Sequence, residues 1–505
     1  MKRRTWIIIG LLTTAWVLII GTLQWLKWDH FGYNGLDLAI YTNTTWSLSH
    51  GHGFASSIHD PSYLGDHLEA WLYPVSWIFR LWPSAVTLLF VQTLVLASAV
   101  IPLAKLANQY FRERGALIAA AVFLVHPLVI NSALYEFHGL VFVLPILLWS
   151  ILWYRQQRWG WWLVSLAALV IVREDMPLVA LGWAILALID RRSWRWWAAP
   201  LLVGLGWYLV AQQIIIAHAY SGTYKYLAFY RWLGQTPGEM ARYPFQHPLL
   251  FLRHIANLNN WQTIGGLLVG FGFWPLLGWR KLWPLLLVIG QMLLLQAEPI
   301  SFLRLHYVLP YLPFLAWGAL SGAQRFLRGN VFPRLDPLIR QAVITVLLIV
   351  AVVFSHLVFG PWRWPWAHTP PAVSEPATLA RAITYVQPTD RVLTTFNLLP
   401  SLANRQTVYS MNYVFLGRRQ YSELPYALPS DIDVAVIDWQ QLYEYQFFYR
   451  TTVFNGQSGT ERLLQLIQEQ RHYPVFFHGS VVVYRRDGSL PQGLYSQQQN
   501  LPAAT

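Results

Sequence analysis

The sequence predicts an α-helical integral membrane protein of about eleven spans, with a C-terminal α/β domain outside the membrane. Of its 505 residues, 55% are hydrophobic and only 12% are charged, about half the charged fraction of an ordinary soluble protein. Apolar runs recur along residues 1–360, and the clearest are long enough to cross about 30 Å of hydrocarbon as helices. Tryptophan and tyrosine are abundant, with 28 and 26 residues, and both favour the membrane–water interface.

The apolar runs and the basic residues between them predict the path across the membrane. The clearest runs lie near Trp6–Trp25, Ala85–Leu106, Gly115–Ala133 and Ala342–Phe359. Short basic patches alternate with nearly uncharged turns, as the positive-inside bias predicts. No small-residue cleavage site follows the first run, so we interpret it as an uncleaved span. We therefore expect a plasma-membrane protein with a cytoplasmic N-terminus and an extracytoplasmic C-terminal domain.

The segment around Arg173 allows two interpretations. Three charged residues, Arg173, Glu174 and Asp175, interrupt an apolar stretch. Either two short spans meet there, or one long kinked span passes through. A single span would reverse every later crossing and spoil the charge bias, so we favour two.

Charge and cysteine content exclude several classes of function. The net charge of +13 does not indicate nucleic-acid binding, because the basic residues form short patches between spans, where anionic lipid attracts them. The chain contains no cysteine. Disulfides, thiol catalysis and cysteine-based metal sites are therefore excluded.

The sequence of residues 372–487 is typical of a soluble α/β domain, which follows the membrane part at 1–360. The Pro/Trp-rich linker at 361–371 cannot continue a helix. Within the domain, SEPATLARAITYV and TERLLQLIQEQ are typical of amphipathic helices, whereas RVLTTF, DVAVID and SVVVYR are typical of strands. The Gln-rich tail at 488–505 is expected to be disordered.

Polar side chains that can carry chemistry gather on one predicted face of the membrane. The first outer loop, at about 28–83, places Asp37 in an apolar stretch and Asp66, His67 and Glu69 shortly before the second span. A charged group in the membrane costs about 2.5–3.5 kcal/mol on insertion scales, so such groups from separate segments indicate a functional site. The further members of this set are Glu136, His138, Arg173, Glu174, Arg304 and His306.

Four separated motifs resemble, in order, a large prokaryotic family known as domain of unknown function 2079, a relative of the GT-C glycosyltransferases. They are GLDLAIYTNTTWSLSHGHGF, GDHLEAWLYPVSW, YEFHG and VREDMPLVALG. The resemblance implies a GT-C-like helical bundle. It also implies transfer of a sugar from a polyprenyl-phosphate lipid, embedded among membrane lipids, to an envelope acceptor on the extracytoplasmic side.

The resemblance further implies a catalytic carboxylate in the first outer loop, and Asp37 lies where that residue is expected. We therefore take Asp37 as the candidate general base, with Glu136 and Glu174 as further candidate catalytic carboxylates. Candidates for binding the donor phosphate are Arg173, Arg304, His67, His138 and His306.

Metal dependence stays open at this point. Many relatives carry paired acidic residues in the first loop, whereas Asp37 stands between Leu36 and Leu38. A divalent ion, Mg²⁺ or Mn²⁺, would therefore need a second carboxylate from elsewhere, for which Asp66, Glu136 and Glu174 are the candidates. Asp37 with Asp66 is the ligand pair that we consider first.

Two other classes of function remain as alternatives. Charged residues in membrane segments also suit a transporter or flippase for a lipid-linked or small polar solute. A transporter, however, predicts polar residues at mid-membrane depth and on both faces, whereas the charges here gather at one end. The third class is a non-catalytic envelope-assembly protein whose outer domain binds a partner.

Overall fold

The computed structural model describes residues 1–58, 62–220, 222–295, 298–361, 374–417, 424–449 and 457–488. The predicted linker and the predicted disordered tail lie outside these residues, apart from one residue of each.

Helices form most of the described membrane part. Three-residue to nine-residue 3-10 helices join some of them, and two of these, His306–Val308 and Lys225–Leu233, lie near the site described below. The α-helices are α1 (Arg3–Asp29), α2 (Leu36–Ser49), α3 (Leu72–Leu81), α4 (Ala85–Ser98), α5 (Val100–Val125), α6 (Pro127–Leu134), α7 (Val143–Arg155), α8 (Trp159–Val170), α9 (Pro177–Ile189), α10 (Trp194–His218), α11 (Pro237–Gln246), α12 (Pro248–Ile255), α13 (Leu258–Val269), α14 (Trp274–Leu277), α15 (Leu286–Leu294), α16 (Pro299–Arg304), α17 (Leu312–Leu327) and α18 (Pro337–Phe359).

Four helical segments within the described residues are long and apolar enough to cross a membrane. They are Arg3–Asp29, Ala85–Val125, Trp194–His218 and Pro337–Phe359. Shorter apolar helices lie at Gly139–Arg155, Trp159–Val170, Pro177–Ile189 and Trp283–Leu294. The membrane class is thus supported, while the number of eleven spans stays a prediction.

The segment Ala85–Val125 contains a reversal of the chain. The backbone leaves the helical conformation at Phe111 (φ −134°, ψ 18°) and Arg112 (φ 54°, ψ −153°). The Gln92 side-chain amide donates to the carbonyl oxygens of Ala133 and Tyr135, each at 3.1 Å. Because Gln92 precedes the reversal and its acceptors follow it, the chain runs across the bundle and back.

The charged sequence around Arg173 forms a break between two antiparallel helices, α8 and α9. The Tyr154 ring at the end of α7 contacts Trp162 near the start of α8 and Trp183 in α9, with centroids 5.7 Å and 4.9 Å away. The Tyr154 hydroxyl also donates to Asp190, which follows α9, at 3.1 Å. The start of α8 and the end of α9 therefore lie together, so the segment forms two helices rather than one kinked helix. That each of them crosses the membrane stays a prediction.

Basic side chains gather at one end of the bundle, which we call the basic face. There Glu113 accepts the backbone N–H of Lys2 at 2.7 Å, and Arg155 donates to Gln109 at 2.9 Å and to the Tyr110 hydroxyl. Other members of the face are Lys105, Arg192, Lys281 and Arg325. The opposite end, which we call the domain face, carries the C-terminal domain.

The C-terminal domain is built on a five-stranded mixed sheet. Its order is β2-β1-β3-β5-β4, with β1 parallel to β2 and β3, and β5 antiparallel to β3 and β4. The predicted helices and strands are all present, whereas β2 and β4 were not predicted. The elements are β1 (Val392–Thr394), β2 (Val408–Ser410), β3 (Val434–Asp438), β4 (His472–His478), β5 (Val481–Arg486), α19 (Pro376–Ile383), α20 (Leu399–Leu402), α21 (Met411–Leu416), α22 (Trp439–Tyr449) and α23 (Gln457–Leu464).

Helix α2 joins the membrane part to the C-terminal domain. The Asn43 side-chain amide donates to the carbonyl oxygens of Ala403 and Arg405, at 3.2 Å and 2.8 Å. At the start of α2, a Cβ on Gly35 would lie 2.0 Å from the carbonyl oxygen of Phe396. Phe396 follows strand β1, so the carboxyl edge of the parallel strands packs directly against the first turn of α2.

Candidate functional site

Asp37 lies in the first turn of α2 at the domain face. The helix begins after Gly35, whose left-handed backbone (φ 91°) favours glycine. The Asp37 carboxylate is 35% exposed and has two described neighbours on the YEFHG turn. The Tyr135 hydroxyl donates to its Oδ2 at 3.4 Å, and Nε2 of His138 lies 3.3 Å from the same oxygen. Asp37 is therefore a partly exposed carboxylate with an imidazole beside it.

Glu136 holds the helix that carries Asp37. Its side chain is 1% exposed, and its two oxygens accept the backbone N–H groups of Gly35 and Leu38 at 2.8 Å and 2.7 Å. A carboxylate at this place satisfies amides that have no partner within the helix and complements the positive end of the helix dipole. Burial and the charge of Asp37 raise the pKa of Glu136, against the two amide donors. The contacts fit a positioning role better than a catalytic one.

His138 and His306 form a stacked pair beside Asp37. Their ring centroids are 3.4 Å apart and the rings are inclined by 18°. Nδ1 of His138 lies 3.0 Å from the carbonyl oxygen of Glu136, which leaves Nε2 for Asp37. His306 is 3% exposed, and burial together with His138 lowers its pKa well below the ordinary value. Its Nδ1 has no hydrogen-bond partner among the described residues.

A second polar cluster surrounds His67 and Glu174. Nδ1 of His67 lies 2.8 Å from Oε1 of Glu174, and the same oxygen accepts the Tyr224 hydroxyl at 2.8 Å. Burial alone would lower the pKa of His67, but the carboxylates of Glu174 and Asp66 outweigh it and raise this pKa to about 9. Burial likewise opposes ionisation of Glu174, yet His67 and Arg173 bring its pKa below the ordinary value. The two side chains thus form a buried ion pair.

Residues 224–233, which we call the strap, cover this cluster. Nζ of Lys225 lies 2.6 Å from Oδ1 of Asp66, and the Tyr226 hydroxyl donates to the same oxygen at 2.7 Å. The Tyr226 ring also stacks on His67, with centroids 5.0 Å apart. Because Tyr224, Lys225 and Tyr226 each bind a member of the cluster, the strap is tied to it at three consecutive residues.

Glu69 lies between Asp37 and the second cluster, and the sequence had given it no role. It is 1% exposed, its Oε1 accepts the Tyr41 hydroxyl at 3.0 Å, and its Oε2 has no hydrogen-bond partner among the described residues. Burial raises its pKa to about 7, against the opposing charges of His67 and Arg173. The sequence had placed it in the polar set only by its position two residues after His67, in the motif GDHLEAW.

The two predicted arginines have different surroundings. Arg173 makes a bidentate contact with Asp175 at 2.7 Å and 2.6 Å, and its charge influences the pKa of both Glu69 and Glu174. Arg304 donates to the carbonyl oxygen of Val358 at the end of α18, at 3.4 Å. Arg173 therefore belongs to the second cluster, while Arg304 lies beside the end of α18.

The predicted metal ligands do not fit a divalent ion. Asp37 lies beside His138, and Asp66 binds Lys225 and Tyr226. In the part of the chain that the structure describes, no three acidic or histidine side chains come together as a metal site would require. We therefore derive no step through a metal.

An apolar groove of about 460 Å³ lies between α5, α17 and α18. Arg114 and Gln341 line it near the basic face, and His126 and Leu312 line it towards the domain face. Leu312 follows the short helix His306–Val308, so this end of the groove lies close to the stacked histidines. The groove was not predicted from the sequence.

One family model matches most of the chain. The model of the family described as "Predicted membrane protein (DUF2079)" matches residues 27–473. The chain belongs to the DUF2079 family. No match was found among curated proteins.

Solved structures indicate the fold of this DUF2079 protein. ArnT from Cupriavidus metallidurans bound to undecaprenyl phosphate is similar with a TM-score of 0.53 at 12% identity, over 97% of this chain and 100% of that one. The apo state of the same ArnT is similar with a TM-score of 0.48 at 12% identity, over 95% of this chain and 99% of that one. An Archaeoglobus fulgidus oligosaccharyltransferase tethered with an acceptor peptide is similar with a TM-score of 0.40 at 10% identity, over 95% of this chain and 75% of that one. At this level the likeness to ArnT shows the fold alone, and the expected GT-C-like helical fold is supported.

Proposed function

We propose that this DUF2079 protein is a GT-C-type glycosyltransferase acting at the extracytoplasmic surface of the plasma membrane. It moves a sugar from a polyprenyl-phosphate carrier to an envelope acceptor. The observation that carries the proposal is Asp37, a 35% exposed carboxylate held at the head of α2 by the buried Glu136. The likeness in fold to an ArnT bound to undecaprenyl phosphate supports the choice of carrier class.

Asp37 acts as the general base. An acceptor hydroxyl oxygen attacks the anomeric carbon of the sugar, the bond from that carbon to the phosphate oxygen breaks, and the hydroxyl proton passes to Asp37. Polyprenyl phosphate leaves with the bonding electrons. A positioned base of this kind contributes about 10²–10⁴-fold to the rate. The partial exposure of Asp37 supports this role, because an acceptor has to reach the carboxylate.

The stacked histidines and nearby arginines stabilise the phosphate that leaves. His138 and His306 lie beside Asp37, and Nδ1 of His306 is buried without a described partner. The neutral His306 ring can therefore donate to a phosphate oxygen in the tautomer that carries its proton on Nδ1. Fixed donors and positive charge at a developing anion lower the barrier. Arg173 and Arg304 add positive charge on the same face.

The polyprenyl chain lies in the apolar groove between α5, α17 and α18. The groove ends near Leu312, close to His306, and extends towards Arg114 at the basic face. Such a placement puts the phosphate at the histidine pair while the hydrocarbon stays within the membrane. Removing volume from the groove, by Ala316→Phe, is expected to raise KM for the donor more than it lowers kcat.

The test is donor consumption by the purified protein in lipid nanodiscs. A panel of radiolabelled polyprenyl-phosphate sugars is added with envelope extract as the source of acceptor, and release of polyprenyl phosphate is measured. We expect one donor to be consumed and its label to appear in the acceptor fraction. If no donor is consumed while reconstituted protein moves a fluorescent lipid-linked sugar between leaflets, the protein is a flippase and the proposal is wrong.

A further inference from the structure

Two short helices on the loop between α10 and α13 expose large apolar side chains. Helices α11 and α12 contain 10 and 8 residues. On them, Phe245 is 86% exposed, Leu249 81%, Leu252 58% and Leu250 55%. Contiguous exposed apolar residues of this kind mark a surface that something covers.

The length of these helices excludes a membrane span. At about 1.5 Å per residue, α11 and α12 measure about 15 Å and 12 Å, against about 30 Å of hydrocarbon. Short amphipathic helices with one apolar side instead lie in the plane of the membrane–water interface. Helix α10, which precedes the pair and is long and apolar enough to cross a membrane, brings it to the bilayer.

Charge on the same helices favours anionic lipid. Arg242 and Arg253 are exposed. The acidic residue of α11, Glu239, is engaged by the backbone N–H of Gln235 at 2.7 Å. Basic residues near an anionic membrane surface each contribute about 1 kcal/mol of attraction. An apolar side flanked by arginines is therefore complementary to a layer of anionic headgroups above acyl chains.

The inner side of the helix pair is bound to the strap. The Trp232 ring stacks on His254, with centroids 3.5 Å apart and an inclination of 21°. It also meets the rings of Tyr243 and Phe251 at 5.5 Å and 6.3 Å. Since Trp232 lies in the same short helix as Lys225, the contact connects α11 and α12 to the strap that binds Asp66.

We propose that helices α11 and α12 form a membrane-interface anchor that holds the strap over the Asp66–His67–Glu174 cluster. Its outer side lies among the headgroups and upper acyl chains of anionic lipid in the leaflet at the domain face. The anchor goes beyond the proposed transferase activity and does not depend on it. It assigns a lipid-binding surface to a segment outside the site.

Because the chain contains no cysteine, depth can be measured at single introduced cysteines. Phe245→Cys and Leu249→Cys are labelled with an environment-sensitive fluorophore in nanodiscs of phosphatidylglycerol and phosphatidylcholine. Some of the lipids carry a quenching spin label high on the acyl chain. The matched control is Gln440→Cys, an exposed position in the C-terminal domain. We expect at least threefold stronger quenching at 245 and 249 than at 440; equal quenching would overturn the anchor.

Two further experiments test the preference for anionic lipid and the hold of the anchor on the strap. In nanodiscs of phosphatidylcholine alone, quenching at 245 should fall at least twofold, and unchanged quenching would overturn the anionic preference. Leu233, at the end of the strap, is 6% exposed, so Leu233→Cys should react slowly with a charged, water-soluble thiol reagent. Adding Phe245→Glu with Leu249→Glu should speed that reaction at least tenfold. Equal rates would show that the anchor does not hold the strap.

Discussion

Nε2 of His138 lies 3.3 Å from Oδ2 of Asp37, while Nδ1 of the same ring lies 3.0 Å from the carbonyl oxygen of Glu136. A carbonyl accepts only, so Nδ1 carries a proton and Nε2 is left to share one with Asp37. The imidazole is therefore held in the orientation in which it can take a proton from Asp37, as the proposed role of Asp37 as general base requires. This relationship between two residues 101 positions apart rests on α2 staying in place.

Replacing Glu136 tests how α2 is held. In Glu136→Gln, only one side-chain oxygen remains for the amides of Gly35 and Leu38, and the new amide group opposes the other N–H. We expect about 1–3 kcal/mol less unfolding free energy, and a fall in kcat with little change in KM. The control is Glu375→Gln, at an exposed helix N-cap whose side chain makes no capping bond. Equal effects of the two substitutions would contradict the positioning role.

Gly139→Ala tests the close packing of Glu69. A Cβ at residue 139 would lie 2.3 Å from Oε2 of Glu69, so the carboxylate or the backbone must move. We expect a destabilisation of about 1–3 kcal/mol, as for other overpacked sites, measured by thermal unfolding in detergent. Gly160→Ala is the control, because nothing lies within 4 Å of its added Cβ. In a Glu69→Ala background the effect of Gly139→Ala should shrink, and full additivity would contradict the contact.

The ion pair of His67 and Glu174 predicts a pH dependence of stability. The folded-state pKa of His67, about 9, lies above the ordinary value of 6.5. The stabilisation of the folded state by protonated His67 is therefore complete below pH 6.5 and is lost as the pH rises to about 9. The unfolding midpoint should fall across this window in wild type and much less in His67→Gln. His478→Gln, an exposed histidine on β4, should behave like wild type; an unchanged slope in His67→Gln would refute the assignment.

Replacing Asn43 tests how strongly α2 holds the C-terminal domain to the membrane part. It is fully buried, donates to Ala403 and Arg405, and accepts the backbone N–H of Ser57 at 3.0 Å. Asn43→Ala leaves buried groups without partners, and we expect a loss of about 1–3 kcal/mol. Asn404→Ala, which removes one exposed bond of 3.3 Å to Pro83, is expected to cost much less. Chemical unfolding measures the loss of unfolding free energy in both variants. Equal losses would contradict the role of Asn43 in joining the two parts.

Hydropathy and charge predicted much of the fold because long apolar runs and basic patches are local signals. Helix α2 was missed for a physical reason. Eleven of its fourteen residues are buried, since it lies between the membrane bundle and the C-terminal domain, so no polar side marks a helical period. The reversal at Phe111 and Arg112 lies between the runs Ala85–Leu106 and Gly115–Ala133, which the sequence had already separated.

Most of the predicted site residues lie at the domain face, but in two clusters that the sequence had not separated, one around Asp37 and one around His67. Sequence reasoning placed the carboxylates and histidines on one face, because each interrupts an apolar stretch. It could not assign Glu136 to the amides of α2 or Lys225 to Asp66, because these partners lie about 100 to 160 positions apart and no local pattern encodes them. The groove was missed for the same reason, since it forms only when α5, α17 and α18 pack together.

Two aspartate-to-asparagine substitutions, compared in the donor-consumption assay, decide whether Asp37 is the general base. Asp37→Asn removes the carboxylate beside His138, whereas Asp29→Asn changes an exposed aspartate at the end of α1. We expect transfer by Asp37→Asn to fall about 10²–10⁴-fold with an unchanged unfolding midpoint, and Asp29→Asn to keep the wild-type rate. Wild-type transfer by Asp37→Asn would contradict the claim that Asp37 is the base.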